Sequence, residues 1–514
     1  MSAHRTASTI VAALSPGLTT AMIRMLATAA LASLLARVPA IALADSTPSA
    51  PPAAGTAARG LATSAKPWAG DFDGIVERRR LRVLIPYSRS LYFNDHGQER
   101  GISADTVRAF ERWLNAKYAK QLGNRPITVL IVPTTRDRLV SDVAGGLGDV
   151  AVGNLTVTEE RSRLVDFVSD PDAPAVNEIV VTGPTAPPIS TAEDLAGKTV
   201  HVRRASSYFE SLTALNARLA RSGAPQVNVV LVPDALEDED MLEMVDVGML
   251  QAVVVDDWKA KMWAQVLPHV KLHPQAVLRT GGAIGWGIRQ GSPELRAEIL
   301  GYMKQVTRGV ITGRIQQYTR HVKRLRNATG SAGRTRFEQL FTLFEKYGER
   351  YRFDPLMLAA QGYQESRLNQ EARSHVGAIG VMQVMPATGE EQRVGDVRLV
   401  EPNIHAGAKY MDRLMSRYFG DASFDEANRT LFAFASYNAG PGNIARMREA
   451  ARKSGLDPNQ WFNHVELVTA QRIGLETTTY VRNIYKYYVG YKLMTDLRAA
   501  AKSAREELTS PSTK

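Results

Sequence analysis

Leu356–Pro386 reads LMLAAQGYQESRLNQEARSHVGAIGVMQVMP. Leu356–Tyr363 is apolar enough to form a buried helix, and that helix delivers Glu365-Ser366 at its carboxy-terminal end. A Gly-punctuated loop, Gly377-Ala-Ile-Gly380, then leads into Val381-Met382-Gln383-Val384-Met385-Pro386. A carboxylate therefore sits where apolar helix gives way to loop. Partial burial there disfavours the ionised form and raises the pKa, which a general acid working near neutral pH requires.

Outward from this stretch the chain has two textures. Phe337, Leu340, Phe341 and Phe344 fall at i, i+3, i+4 and i+7, and helical patterns with Gly or Pro breaks continue to the end. Before it, short β-rich runs alternate with helical ones such as Asp105–Lys117. Leu81–Ile85, Ile127–Val132, Val150–Val152, Ile179–Thr182, Thr199–Val202, Val227–Val232 and Ala252–Val255 are the strand candidates. Such alternation predicts an α/β fold with mostly parallel sheets. A polar stretch around Asn327–Gly333 separates the two regions.

The chain has 514 residues, 44% hydrophobic and 22% charged, too long for one core, so about three domain-sized units are expected. Its lack of cysteine excludes disulfides, Cys-ligated metals, thiol nucleophiles and a cysteine-borne lipid anchor. Met25–Ala36 is an apolar run of about a dozen residues after Arg24, followed by Ala42-Leu43-Ala44. Being too short to span a bilayer, it reads as a secretory signal peptide. A cut after Ala44 lowers the formal net charge from +11 to +8. Nucleic acid is not the expected partner of this basic chain, because no recognition motif or basic groove with stacking aromatics is present. No G-x-x-x-x-G-K-[ST] or H-E-x-x-H occurs, so neither a cofactor nor a metal is expected.

The helical region resembles the soluble lytic transglycosylase (SLT) catalytic domain, a mainly α, lysozyme-like fold that cleaves peptidoglycan. The resemblance rests on Glu365-Ser366, Ser374, Gly380–Pro386, Tyr437-Asn438-Ala439-Gly440-Pro441-Gly442, and Glu476-Thr477 with Tyr480-Val481, in the family's order. Asn403-Ile404 and Gly407 with Tyr410 extend it. Glycoside hydrolysis ordinarily needs two carboxylates, whereas the resemblance implies a single acid/base, Glu365. It implies cleavage of the bond between N-acetylmuramic acid and N-acetylglucosamine with formation of a 1,6-anhydromuramoyl end. Ser366, Ser374 and Gln383 are expected near Glu365 and the N-acetyl groups, with Met385, Tyr437, Asn438, Glu476 and Tyr480 lining or completing the groove. For Glu476, direct substrate contact and a buried structural role both remain open.

The α/β region resembles the family 3 periplasmic solute-binding proteins, two-lobed receptors for amino acids and similar solutes. The matching segments are Gly148–Gly153, Thr156–Arg161, Val165–Phe167, Asp194–Val200, Ala252–Asp256, Gly285–Ile288 and Gly291–Leu295. The resemblance implies that Arg161 meets a ligand carboxylate and Asp256 its ammonium, with Thr156 and Ser206 or Ser207 assisting. A salt bridge from Arg161 to Glu159 or Asp166 is the plainer alternative, and the atypical Asn154 puts amino-acid specificity in doubt.

Receptor followed by transglycosylase resembles the membrane-bound lytic murein transglycosylase F family. The expected organisation is a signal peptide (1–44), a flexible tether (45–66), a two-lobed solute-binding-like domain (67–326), a linker (327–334) and an SLT domain (335–514). The resemblance implies a peptidoglycan lyase exported to the periplasm of a Gram-negative bacterium and peripheral on the inner face of the outer membrane. Its expected partners are glycan strands and a muropeptide or amino-acid ligand. The basic stretch Arg314–Arg326 offers a route to anionic lipid headgroups, with a solvated linker helix as the plainer and slightly favoured reading. A glycan-binding module without catalysis is the competing reading, opposed by the intact Glu365, Ser374 and Gln383 set.

Overall fold

The computed structural model describes residues 66–170, 172–305 and 330–509. The signal peptide, the tether up to residue 65, the basic stretch Arg314–Arg326 and residues 327–329 of the linker lie outside these.

The α/β region forms two lobes. In the first, β1 (Arg80–Ile85), β4 (Thr128–Pro133), β5 (Val150–Thr156), β6 (Val165–Val168) and β12 (Ile284–Arg289) make one sheet in the order β4-β1-β5-β12-β6. A hairpin of β2 (Phe93–Asp95) and β3 (Gln98–Arg100) stands beside it. In the second, β7 (Val176–Thr182), β8 (Thr199–Val202), β9 (Asn228–Leu231), β10 (Ala252–Asp256) and β11 (Lys271–Gly282) pair in the order β11-β7-β10-β8-β9. The chain passes out of the first lobe after β6 and returns from β11 into β12.

That double passage corrects the expectation of mostly parallel sheets. β12 re-enters antiparallel to both β5 and β6, and β7 runs antiparallel to β10 and β11. Parallel pairing is confined to β1 with β4 and β5, and to β8 with β9 and β10. Helices α1 (Phe72–Arg78), α2 (Ile102–Lys117), α3 (Ser207–Arg221), α4 (Asp238–Asp246), α5 (Asp257–Ala264) and α6 (Pro293–Met303) belong to these lobes.

The rest is helical: α7 (Ser331–Tyr351), α8 (Pro355–Ser366), α9 (Pro386–Gln392), α10 (Val400–Tyr418), α11 (Glu426–Ala439), α12 (Pro441–Lys453), α13 (Glu466–Arg472) and α14 (Leu475–Thr509). Helix α7 begins inside the stretch read as linker. Phe337 and Phe344 on its predicted apolar face are buried. Helix α8 is capped by Asp354, whose carboxylate accepts from the Leu356 and Met357 amides, with Pro355 pre-set for the first turn.

Helix α14 touches both regions. Lys486 pairs with Glu243 at 2.8 Å and Asp240 at 3.1 Å on α4, and Arg482 donates to the Ala235 carbonyl at 2.9 Å. Every residue of α4 is buried, including Asp238, Glu239, Asp240, Glu243 and Asp246. Arg89 meets Asp240 and Glu243 from the first lobe, and Lys259 and Arg203 meet Asp238 within the second. The acidic helix is thus satisfied by cations from both lobes and from α14, as buried charges require.

Candidate active site

Glu365 lies in the last turn of α8, partly buried. The helix stops there because Arg367 and Leu368 both adopt left-handed backbone, with φ of 59° and 58°. Burial pushes the Glu365 carboxyl up to about 7, against the opposing effect of a 2.5 Å hydrogen bond donated by the Tyr480 hydroxyl of α14. No charged side chain is among the causes of that shift. Burial also raises the Tyr480 and Tyr437 hydroxyls well above the ordinary tyrosine value, and the Glu365 charge adds to both shifts. Two tyrosines that stay protonated thus flank an acid poised near neutrality.

The loop after α8 is fixed from beneath. Asn403 on α10 is fully buried, donates to the Ile379 and Val397 carbonyls and accepts from the Met382 amide at 2.8 Å. Gln370 accepts from the Val381 amide and donates to the Val397 and Arg398 carbonyls. Gly380 sits between them at φ 77°, where a Cβ would come within 2.6 Å of both side-chain amides. The Tyr437 hydroxyl donates to the Met382 carbonyl at 2.7 Å, and its ring meets Tyr410 edge-on.

The other expected residues are carried by α8, the loop after it, α9, α11 and α14. Ser366 donates to the Val381 carbonyl at 2.8 Å and to the Gly362 carbonyl at 3.2 Å, tying helix end to loop. The Ser374 hydroxyl accepts from the Ala378 amide and closes a turn. Gln383, at φ 47°, donates its amide to the Gly380 carbonyl. Met385 is 41% exposed at the start of α9, an apolar surface open to a ligand. Asn438 accepts from the Thr477 hydroxyl at 2.8 Å. Glu476 is exposed in the first turn of α14, so of its two readings the buried one does not hold. Sequence reasoning missed Gln361, one turn before Glu365 on the same face of α8. It is fully buried beside the Tyr480 hydroxyl, and its side-chain amide opposes the rise that burial imposes on that hydroxyl.

In the receptor region the expected ligand-binding groups are already engaged. Arg161 donates to the Thr156 and Ala205 carbonyls and lies 3.6 Å from Glu210. Glu159 is paired with Arg163, and among the described residues Arg161 pairs with neither Glu159 nor Asp166 but lies nearest Glu210. Asp256 is fully buried, accepts from Asn154 at 2.8 Å and lies 3.7 Å from Lys259, while its Oδ1 has no hydrogen-bond partner among the described residues. The Thr156 hydroxyl accepts from Ser207, and Ser206 caps α3. Beside them a cavity of about 530 Å³ runs between the lobes, walled by Leu91, Val176, Trp258 and Trp286, with Ser103, Thr106, Asn154 and Asp170 among its polar groups.

A two-lobed binding-protein module joined to a helical module with one poised carboxylate defines the class. Residues 83–319 match the family model for bacterial extracellular solute-binding proteins, family 3, and residues 342–459 match the transglycosylase SLT domain. A membrane-bound lytic murein transglycosylase F of Desulfosudis oleivorans is 29% identical over 75% of this chain and 86% of its own. One of Pseudomonas fluorescens is 28% identical over 79% and 84%. An ancestral arginine-binding protein bound to arginine aligns with 47% of this chain and 98% of its own, at 25% identity and a TM-score of 0.37. The chain thus carries a family 3 solute-binding domain followed by a transglycosylase SLT domain, and over three quarters or more of its length it is similar to proteins named membrane-bound lytic murein transglycosylase F.

Proposed function

We infer that the chain is a peptidoglycan lytic transglycosylase, a lyase, with Glu365 as its single acid/base. The observation that carries this is a lone half-buried carboxyl held near pH 7 by burial and met by the Tyr480 hydroxyl. Protonated Glu365 donates to the oxygen between the two sugars as the bond from that oxygen to muramoyl C1 breaks. The carboxylate, stabilised by Tyr480, then takes the proton of the muramoyl C6 hydroxyl while that oxygen bonds to C1. The proton returns to Glu365, no water is consumed, and the product ends in a 1,6-anhydro ring. Met385 and Tyr437 offer the apolar surface for the strand; Ser366, Ser374, Gln383, Asn438, Glu476 and Tyr480 are its proposed polar surroundings.

Digestion of purified sacculi followed by mass spectrometry tests the reading. Anhydro-ended muropeptides are expected; reducing ends would make the chain a hydrolase, and intact sacculi a binding module. Glu365→Gln is expected to bind sacculi and release at least 1,000-fold less product.

The receptor module is proposed to bias catalysis, because α14 carries both Tyr480 at the carboxyl and Lys486 in the junction with α4. A muropeptide or amino-acid ligand would compete with Glu210 for Arg161 and with Lys259 for Asp256. Its differential affinity for two arrangements is what would move α14. A stem-peptide fragment that binds without changing turnover removes this part. The location proposed is the periplasm, peripheral to the outer membrane; no helix among the described residues is long and apolar enough to cross a membrane.

A further inference from the structure

At the edge of the first lobe's sheet where β1 and β4 begin side by side, with Arg80 opposite Thr128, lies an open recess of about 520 Å³. Arg78, Arg79, Arg80 and Arg125 line it with Asn124, and no acidic side chain does. Three of these arginines are consecutive in the sequence, at the end of α1, where Arg79 takes left-handed backbone with φ 57°.

Their bonding is incomplete in a particular way. Arg78 is anchored on its inner side, paired with Asp149 at 2.6 Å and stacked 3.4 Å from the centre of the Trp68 ring, yet its Nε is buried without a partner. Arg79 gives one nitrogen to the Gln121 carbonyl, while its Nη1 is likewise buried and unpartnered. Arg80 and Arg125 are exposed and make no ion pair among the described residues. Unpaired donors on guanidinium groups that crowd one another are costly unless an acceptor completes them. A tetrahedral anion satisfies several planar forks at once, and phosphate is the group that clustered arginines match in geometry and charge.

We propose that this recess binds a phosphate group, as a phospholipid headgroup or as a soluble phosphate ester. Its lining shares no residue with the interlobe cavity or with the surroundings of Glu365, so it serves attachment rather than catalysis. It would give this cysteine-free chain a contact with an anionic envelope surface that involves neither an acyl chain nor a spanning helix.

The test uses the full exported chain and a triple variant, Arg79→Gln, Arg80→Gln and Arg125→Gln, which leaves the Arg78–Asp149 pair intact. A control variant loses equal charge elsewhere through Arg417→Gln, Arg446→Gln and Lys453→Gln. Co-sedimentation is measured with vesicles of phosphatidylglycerol and phosphatidylcholine, and with phosphatidylcholine alone; calorimetry uses inorganic phosphate and glycerol phosphate. At about 1 kcal/mol per basic residue at an anionic surface, the recess variant should bind anionic vesicles about 100-fold more weakly and the control nearly as wild type. Loss confined to vesicles identifies the headgroup as the source; loss of saturable binding to the small phosphates identifies a soluble ester. Equal losses in both variants, or no binding to either probe, overturn the proposal. Circular dichroism and sacculus digestion, both expected unchanged, separate the result from misfolding.

Discussion

At the residue scale, Glu365 is held between two opposing influences. Burial favours its neutral form and the Tyr480 bond favours the charged one. In Tyr480→Phe the second influence is gone, so the pKa rises further. A bond to a charged group contributes roughly 1.5 kcal/mol, so the alkaline fall in kcat/KM should move upward by about one unit. An unchanged pH profile would show that Tyr480 does not tune the acid. The same shift is a statement about stability. A carboxyl near 7 when folded and about 4.3 when unfolded binds more protons in the folded state across that window, so stability falls as pH rises through it. Glu365→Gln removes this penalty. It should be more stable than the native chain above pH 7, by on the order of 3 kcal/mol in urea titrations, and nearly equal to it at pH 4. The position of Glu365 at a helix end was legible because apolar helix and polar loop meet there in the sequence. Gln361 was not, since a polar residue within an apolar run gives no sign of whether its partner will be solvent, backbone or a distant tyrosine.

Among the elements, the loop from Gly377 to Pro386 gains its shape from residues outside it. Asn403 alone satisfies one amide and two carbonyls of the segments it underlies, each of which would be expensive to leave unpaired in the interior. Asn403→Ala should therefore cost about 2 kcal/mol or more in chemical denaturation and lower turnover on sacculi by at least tenfold. Asn403→Asp, which keeps the acceptor for Met382 but loses the donors, should not rescue it. Full activity in either variant would show that the loop holds its own conformation. Short apolar-rich runs bearing Val or Ile, such as Leu81–Ile85 and Ala252–Val255, were readable as strands from their sequence. β11 was not: Pro274 and repeated register shifts break its periodicity, and its pairing with β7 is a consequence of the chain's return between lobes. That return also explains why alternating strands and helices suggested parallel sheets where half the pairings are antiparallel.

Across the whole molecule, the least legible feature is the acidic run Glu237–Asp246. In sequence such a run reads as a solvated helix face, and its burial depends on Arg89, Arg136, Arg203, Lys259 and Lys486, contributed from widely separated positions. These pairs join both lobes to α14, so the receptor and catalytic modules should melt together. Calorimetry of the full exported chain is expected to give one principal transition. Lys486→Ala leaves Asp240 and Glu243 short of a cation at a site with no solvent to replace it, a loss of about 3–5 kcal/mol for a buried pair. The catalytic module then loses its charged tie to the second lobe, keeping the Arg482 bond to the Ala235 carbonyl, while its own core, centred on α8 and α14, remains packed. The variant should show two separated transitions, with sacculus cleavage surviving to the midpoint of the helical one. A single transition merely shifted downward would mean that other contacts, such as the Leu475 amide to Asp95 and the His96 amide to the Ala470 carbonyl, couple the modules without the charged junction.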